Sequence, residues 1–78
     1  MVEIQIYIRP TCPWCIKARE LLQRNKLPFE IRDINESENY RDDVLEKSGQ
    51  LAVPMIVIDG QVFVGYDEKK LQAAIKSK

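Results

Sequence analysis

The chain has 78 residues, of which 45% are hydrophobic and 31% charged, and its 12 basic and 12 acidic residues give a formal net charge of zero. This length and composition are typical of one soluble globular domain, here residues 1–78, and the balanced charge makes nucleic acid and anionic membrane surfaces poor partners. The chain contains no histidine, which excludes histidine general bases and imidazole metal ligands.

The first part of the chain has the pattern of a β-α-β unit. Apolar and polar residues alternate over 2–8, which predicts a strand. The spacing of apolar residues predicts a helix over 13–25, with Thr11 as the expected N-cap. Apolar positions within 29–34 indicate a second strand, and the intervening helix makes the two strands parallel.

The second part of the chain predicts a helix, a hairpin and a final helix. Ser37 is the expected N-cap of the helix, and Gly49 is expected to end it. Apolar residues flank Asp59-Gly60, a strong signal for a β-hairpin over 55–64. Asp67 is the expected N-cap of the last helix. The predicted order is therefore β-α-β-α-β-β-α, an α/β fold.

The two cysteines form a C-x-x-C motif between the first predicted strand and the first predicted helix. Cys12 and Cys15 enclose Pro13 and Trp14, and in this context the spacing is typical of a thioredoxin-like redox centre. The aligned N–H groups at a helix N-terminus stabilise a thiolate placed there. We therefore expect Cys12, at the helix entrance, to be the nucleophile and Cys15, one turn further in, to be the resolving thiol.

Alternative interpretations of the motif are an inert buried pair and a metal or cluster site. Two cysteines without histidine cannot complete a tetrahedral metal site unless a second chain contributes ligands. We therefore expect no resident metal, and a dimeric iron–sulfur carrier remains the non-enzymatic alternative. Trp14 is either a half-exposed cover for the helix start or a substrate contact, and its position between the cysteines favours the contact.

The N-terminal segment shows no targeting pattern. It has no basic segment followed by an apolar stretch, and we therefore expect a cytoplasmic protein. In a reducing compartment, a cysteine pair of this kind is more often redox-active than structural. The expected activity is thiol–disulfide exchange.

A set of short motifs extends along the chain. They are Tyr7, Arg9, Thr11-Cys12-Pro13-Trp14-Cys15, Ser48-Gly49, Ala52-Val53-Pro54 and Gly65-Tyr66-Asp67. Together they resemble the small dithiol glutaredoxins from end to end. The resemblance implies a thioredoxin fold, in which three helices flank a four-stranded mixed sheet. In that sheet the first two strands are parallel, and the hairpin adds antiparallel strands beside the first strand. The resemblance also implies a monomer without a bound cofactor, which uses glutathione to reduce protein disulfides and protein–glutathione mixed disulfides.

The resemblance also assigns roles in binding glutathione. Val53 would present its backbone to the cysteine of glutathione, and Pro54 would be cis and face the disulfide. Arg9 and Arg41 would lie near the glycine carboxylate, and Asp67 would meet the γ-glutamyl ammonium. The implied binding set is completed by Thr11, Trp14, Gly65 and Tyr66. Arg41 is equally compatible with a solvated surface charge, and Asp67 with a plain helix cap.

Two positions depart from the usual glutaredoxin pattern. Many glutaredoxins have two glycines before the last helix, whereas this chain has Val64-Gly65 followed by the bulky Tyr66. These residues narrow the expected glutathione groove. The same loop is similar to that of glutaredoxin-like redoxins, which are recharged by thioredoxin reductase and donate electrons to ribonucleotide reductase. That activity is the alternative function.

Overall fold

The computed structural model describes residues 3–76, and its elements follow the predicted order. They are β1 (Ile4–Ile8), α1 (Pro13–Arg24), β2 (Glu30–Asp33), α2 (Glu38–Ser48), β3 (Met55–Ile58), β4 (Gln61–Val64) and α3 (Glu68–Lys76). The strand predicted over 2–8 therefore begins at Ile4, and its position 2 lies outside the described residues. The helix predicted to reach Asn25 ends at Arg24, with Asn25 as its C-cap.

The four strands form one mixed sheet in the order β2-β1-β3-β4. Strand β1 is parallel to β2, with Ile6 opposite Ile31, and antiparallel to β3, with Ile6 opposite Ile56. Strand β4 is antiparallel to β3. This arrangement is the thioredoxin fold that the resemblance implied.

The two faces of the sheet bury different cores because side chains alternate along each strand. Ile6 and Ile56 pack against the buried residues of α1 and α3, including Leu21 and Leu71. On the opposite face, Tyr7, Met55 and Val57 pack against α2 through Val44. Helices therefore cover both faces of the sheet, with α1 and α3 on one side and α2 on the other.

The helix α1 begins at Pro13 as predicted, but its N-cap differs from the sequence prediction. The N-cap is Cys12 and not Thr11: Cys12 has an extended backbone, and its Sγ accepts a hydrogen bond from the Cys15 N–H at 3.3 Å. The helix begins at Pro13 because proline lacks an N–H and has a helical φ, which suits the first helical position. The residue before it must then be the cap, which places a cysteine sulfur at the helix entrance.

The other predicted caps and the hairpin turn are confirmed. Ser37 caps α2 by accepting a hydrogen bond from the Asn39 N–H, and Gly49 is the left-handed C-cap that follows its last residue, Ser48. In the hairpin turn, Asp59 and Gly60 have φ of 48° and 86°. Positive φ at both central residues matches the right-handed twist of the flanking strands.

A partly buried polar network fixes α2 to the sheet. The Tyr7 hydroxyl accepts a hydrogen bond from Arg32 at 2.6 Å and donates one to the Asp43 carboxylate at 3.2 Å. The Arg32 guanidinium also lies over the rings of Tyr7 and Tyr40. Burial raises the pKa of Tyr7 above its ordinary value of 10.0, so the hydroxyl keeps the proton that it donates.

Candidate active site

The sheet brings three loops to one edge. Because β1 and β3 are antiparallel with Tyr7 opposite Met55, the loop that leaves β1 lies beside the loop that enters β3. Met55 is also opposite Val64, so the loop that leaves β4 reaches the same edge. One residue from each loop, namely Cys12, Val53 and Tyr66, packs against the core beneath α1 and α3. These loops form the candidate active site.

The loops before β3 and after β4 are joined by their backbones. The Val53-Pro54 peptide bond is cis, as the resemblance implied. The Pro54 carbonyl accepts a hydrogen bond from the Gly65 N–H at 2.8 Å. Gly65 has a φ of 80°, a left-handed conformation that favours glycine. This requirement explains why the second glycine of the family pattern is retained in Val64-Gly65.

The two cysteines have different environments although both are free thiols. Cys12 is half-buried at the helix entrance. Cys15 lies inside the first turn, where it faces the core and is only 1% exposed. A substrate disulfide can therefore approach Cys12, whereas Cys15 is shielded behind it.

Burial also controls the ionisation of Cys15. It raises the pKa of the Cys15 thiol from its ordinary value of 9.0 to about 12, and the contact with Cys12 acts in the same direction. The backbone and the charge of Arg9 oppose this rise to a smaller extent. Cys15 therefore remains a protonated thiol at neutral pH in the reduced protein.

An aromatic stack links the cysteine motif to the loop after β4. Trp14 is 53% exposed, and its ring stacks on Tyr66 with the centroids 6.0 Å apart and an interplanar angle of 27°. The Lys17 ammonium lies 4.8 Å from the centroid of the Trp14 ring, within the range of a cation–π contact. The bulky side chain of Tyr66 is therefore placed against the motif itself.

Of the remaining predicted site residues, Arg9, Thr11 and Asp67 lie in these loops, whereas Arg41 does not. Arg9 and Thr11 are exposed in the loop that leads to Cys12. Asp67 is exposed and caps α3 by accepting a hydrogen bond from the Lys70 N–H at 3.2 Å. Arg41 is exposed on α2, and among residues 3–76 no side-chain hydrogen bond or ion pair joins it to the three loops.

One feature of the site, a groove beside the aromatic stack, was not predicted from the sequence. A groove of about 580 Å³ lies beside the stack and is lined by Lys17, Glu20, Gln23, Arg24 and Tyr66. Trp14 and Lys17 are three positions apart on a helix and therefore neighbours, a spacing from which their contact could have been predicted. The approach of Tyr66 to this face depends on the tertiary fold and leaves no local signal.

The part of the chain that the structure describes has neither a cluster of metal-ligating side chains nor a helix that could cross a membrane. Between residues 3 and 76, no three side chains of the metal-ligating types His, Cys, Asp and Glu are gathered into a possible metal site. None of the helices over the same residues is long and apolar enough to cross a membrane. The cluster-carrier alternative and the cellular location stay predictions.

Comparison with known proteins identifies the family. The family model described as Glutaredoxin matches residues 4–63, which include the C-x-x-C motif, the cis-proline and the first two strands. The chain belongs to the glutaredoxin family. Membership and the neighbouring Cys12 and Cys15 make this glutaredoxin-family protein a thiol–disulfide oxidoreductase.

Individual glutaredoxin relatives cover most of the chain. Glutaredoxin 3 of Escherichia coli strain K12 is 34% identical over 68 residues, which cover 87% of this chain and 82% of that protein. An uncharacterised glutaredoxin-like 8.6 kDa protein in the rubredoxin operon of Clostridium pasteurianum is 34% identical over 73 residues, or 94% and 97% of the two chains. The crystal structure of a glutaredoxin from Archaeoglobus fulgidus superimposes with a TM-score of 0.85 at 32% identity, covering 97% of this chain and 88% of that one.

Proposed function

We propose that this protein reduces protein disulfides and protein–glutathione mixed disulfides, with glutathione as its electron donor. The observation that carries the proposal is the asymmetry of the two cysteines. Cys12 caps α1 and is half-buried, whereas Cys15 is buried one turn further in. This geometry suits a two-step exchange in which one thiol attacks and the other resolves.

With a protein disulfide, the exchange begins at Cys12. Its thiolate attacks one substrate sulfur, the substrate S–S bond breaks, and a mixed disulfide with Cys12 forms while the first substrate thiolate leaves. The Cys15 sulfur then attacks the Cys12 sulfur and releases the second substrate thiolate, which takes up the Cys15 proton. Cys12 and Cys15 are left as an internal disulfide.

Glutathione then completes the cycle. One glutathione thiolate attacks the internal disulfide to form a mixed disulfide with Cys12, and a second releases oxidised glutathione and the reduced protein. When the substrate is already a protein–glutathione mixed disulfide, Cys12 takes the glutathione directly and frees the protein thiol. That route does not need Cys15.

The charges around the three loops support glutathione as the donor. Glutathione carries two carboxylates and one ammonium group, and charge-assisted hydrogen bonds of these groups are the strong ones. Arg9 lies in the loop before Cys12, and Asp67 lies in the loop that is bonded to Pro54 through Gly65. Asp67 can accept from Lys70 and from a ligand at once, because a carboxylate has several acceptor sites.

A second candidate function is a redoxin recharged by thioredoxin reductase. Tyr66 stacks on Trp14, and Val64 is 43% exposed where many glutaredoxins have glycine. Both side chains occupy space that a ligand backbone would otherwise approach. The amphipathic ring of Tyr66 can also pack on a ligand, so that the loop remains compatible with glutathione.

A donor comparison tests the proposal. The protein is oxidised to the Cys12–Cys15 disulfide and then reduced either by glutathione with glutathione reductase or by thioredoxin reductase, with NADPH consumption followed in both. We expect efficient reduction by glutathione. Efficient reduction by thioredoxin reductase together with failure of glutathione would replace the proposed donor with that of the redoxins.

A further inference from the structure

We infer that the groove along α1 binds an acidic segment of the protein whose disulfide is reduced. The groove is lined by Lys17, Glu20, Gln23, Arg24 and Tyr66 and has a volume of about 580 Å³. This inference rests on the proposed function, since it concerns the polypeptide on either side of the reacting disulfide. It adds a surface that selects among protein substrates.

The groove is continuous with the reacting centre. Tyr66 lines the groove and stacks on Trp14, which lies between the two cysteines. Lys17 also lines the groove and lies over the Trp14 ring. A polypeptide joined to Cys12 through a mixed disulfide would therefore pass over the Trp14 ring before entering the groove.

The charges of the lining favour an acidic occupant. Lys17 and Arg24 are positive, and Glu20 is the acidic group between them. Arg24 is paired with Glu68 at 3.8 Å, but both side chains are more than half exposed. Exposed pairs of this kind contribute little, so a substrate carboxylate can replace Glu68 beside Arg24.

The separation of Lys17 and Arg24 along α1 determines how far apart the acidic residues of the bound segment should be. Lys17 and Arg24 are two helical turns apart, about 10 Å along the axis of α1. An extended peptide covers that distance in about three residues. Side chains of an extended peptide share a face at every second residue, so acidic residues two or four positions apart reach both cations, and neutral residues between them avoid repulsion by Glu20.

The length of α1 separates Arg24, at the far end of this surface, from the glutathione contacts. The helix has 12 residues, so Arg24 lies about 18 Å along the axis from its entrance. An extended tripeptide spans only about 10 Å. Arg24 is therefore within reach of a protein substrate and beyond the reach of a glutathione attached at Cys12.

The inference is tested with peptides that carry one cysteine in a mixed disulfide with a coloured thiol. Two acidic residues at the inferred spacing follow the cysteine in one peptide and precede it in another, and each has a counterpart with lysines in place of the acids. The reduced protein is mixed with each peptide, and release of the coloured thiol gives the rate. We expect the better of the two acidic peptides to react about threefold faster than its lysine counterpart.

Charge reversal supplies the matched comparison. Arg24→Glu should favour the lysine peptide, and Arg24→Gln should give an intermediate preference. Lys47→Glu makes the same charge change in the last turn of α2, on the other face of the sheet, and should keep the wild-type preference. Because the contacts are exposed, the preference should also shrink as added salt shortens the screening length.

A small disulfide without a peptide separates the possible failures. The wild type, Arg24→Glu and Lys47→Glu should reduce it at equal rates. Equal rates on acidic and lysine peptides, an equal effect of Lys47→Glu, or a loss of small-disulfide activity in Arg24→Glu would each overturn the groove assignment. If the wild type reduced neither the peptides nor the small disulfide, the proposed function itself would fail.

Discussion

At the scale of single residues, the helix start makes two identical side chains chemically different. Pro13 occupies the first helical position, which leaves Cys12 outside the helix as its cap and Cys15 inside the first turn. Cys12 is half-buried and Cys15 is buried against the core. The roles of nucleophile and resolving thiol follow from this difference in position.

Single serine substitutions should separate the two roles. Cys12→Ser is expected to abolish all thiol–disulfide activity, because no other thiol is accessible to substrates. Cys15→Ser is expected to keep part of the activity on glutathione mixed disulfides, since that route needs only one attacking thiolate. Coupled assays with a glutathionylated peptide and with a protein disulfide measure both. Wild-type activity of Cys12→Ser would show that the roles are wrongly assigned.

The buried thiol should also make the stability of the reduced protein depend on alkaline pH. The pKa of Cys15 is raised from 9.0 to about 12 by burial and by Cys12, so between these values the folded protein keeps a proton that the unfolded chain releases. The free energy of unfolding should therefore fall as pH rises from 9.0 to about 12. Below 9.0 the Cys15 thiol is protonated in both the folded and the unfolded state and adds no pH dependence.

Cys15→Ala provides the control for that pH dependence. It lacks the Cys15 thiol but retains Cys12, Tyr7 and the other titratable groups, so the difference in free energy of unfolding between the reduced wild type and this variant reports Cys15 together with its contact with Cys12. Denaturant titrations at several pH values measure it. A difference that stays constant over the alkaline range would contradict the raised pKa.

At the scale of elements, short-range signals located most boundaries. Ser37 and Gly49 marked the ends of α2, and Asp59-Gly60 marked the hairpin, because each residue type satisfies a local backbone requirement. The helix start at 13 was predicted correctly, but Thr11 was the wrong cap: cap preferences favour a hydroxyl, whereas Pro13 at the first helical position makes the residue directly before it, Cys12, the cap.

Asp67 caps α3 and is also predicted to bind the ammonium group of glutathione. Two substitutions can separate these roles. Asp67→Asn should keep the cap, since asparagine caps as well as aspartate, but should remove the charge that would meet the glutathione ammonium. Asp67→Ala removes both and should lower the free energy of unfolding by about 1 kcal/mol. Both variants should lose up to about tenfold in turnover with glutathione, because hydrogen bonds to charged groups contribute about 1.5–3 kcal/mol and the exposure of Asp67 favours the lower end of that range.

Dithiothreitol serves as the control donor for these variants because it has no ammonium group. Its rate of reducing the oxidised protein should be nearly unchanged by either substitution. If Asp67→Asn kept the full glutathione rate, the carboxylate would be a helix cap alone.

At the scale of the whole molecule, the site depends on pairings that are distant in sequence. The β-α-β unit and the hairpin were predictable from local patterns, but their joining through β1 and β3 was expected only from the family resemblance. The stack of Trp14 on Tyr66 and the groove beside it depend on that same arrangement. Local periodicity could not reveal them, because it carries no information on which faces meet.

The redox potential is a property of the assembled site. We expect the Cys12–Cys15 couple to lie at roughly −200 to −230 mV, the range of glutaredoxins, because a helix N-terminus that stabilises a thiolate favours the reduced form. Equilibration against glutathione buffers of known composition measures it. A value below about −260 mV would favour the alternative function, a redoxin recharged by thioredoxin reductase.

The assignment of Cys12 as the attacking thiol is tested most directly by capturing the first exchange product. Cys15→Ser is incubated with oxidised glutathione, and the modified residue is located by mass spectrometry of the intact protein and its peptides. We expect one glutathione per chain, attached at Cys12, and none on a Cys12→Ser control treated in the same way. Failure to form the adduct, or equal modification of Cys15 in the Cys12→Ser protein, would contradict this assignment.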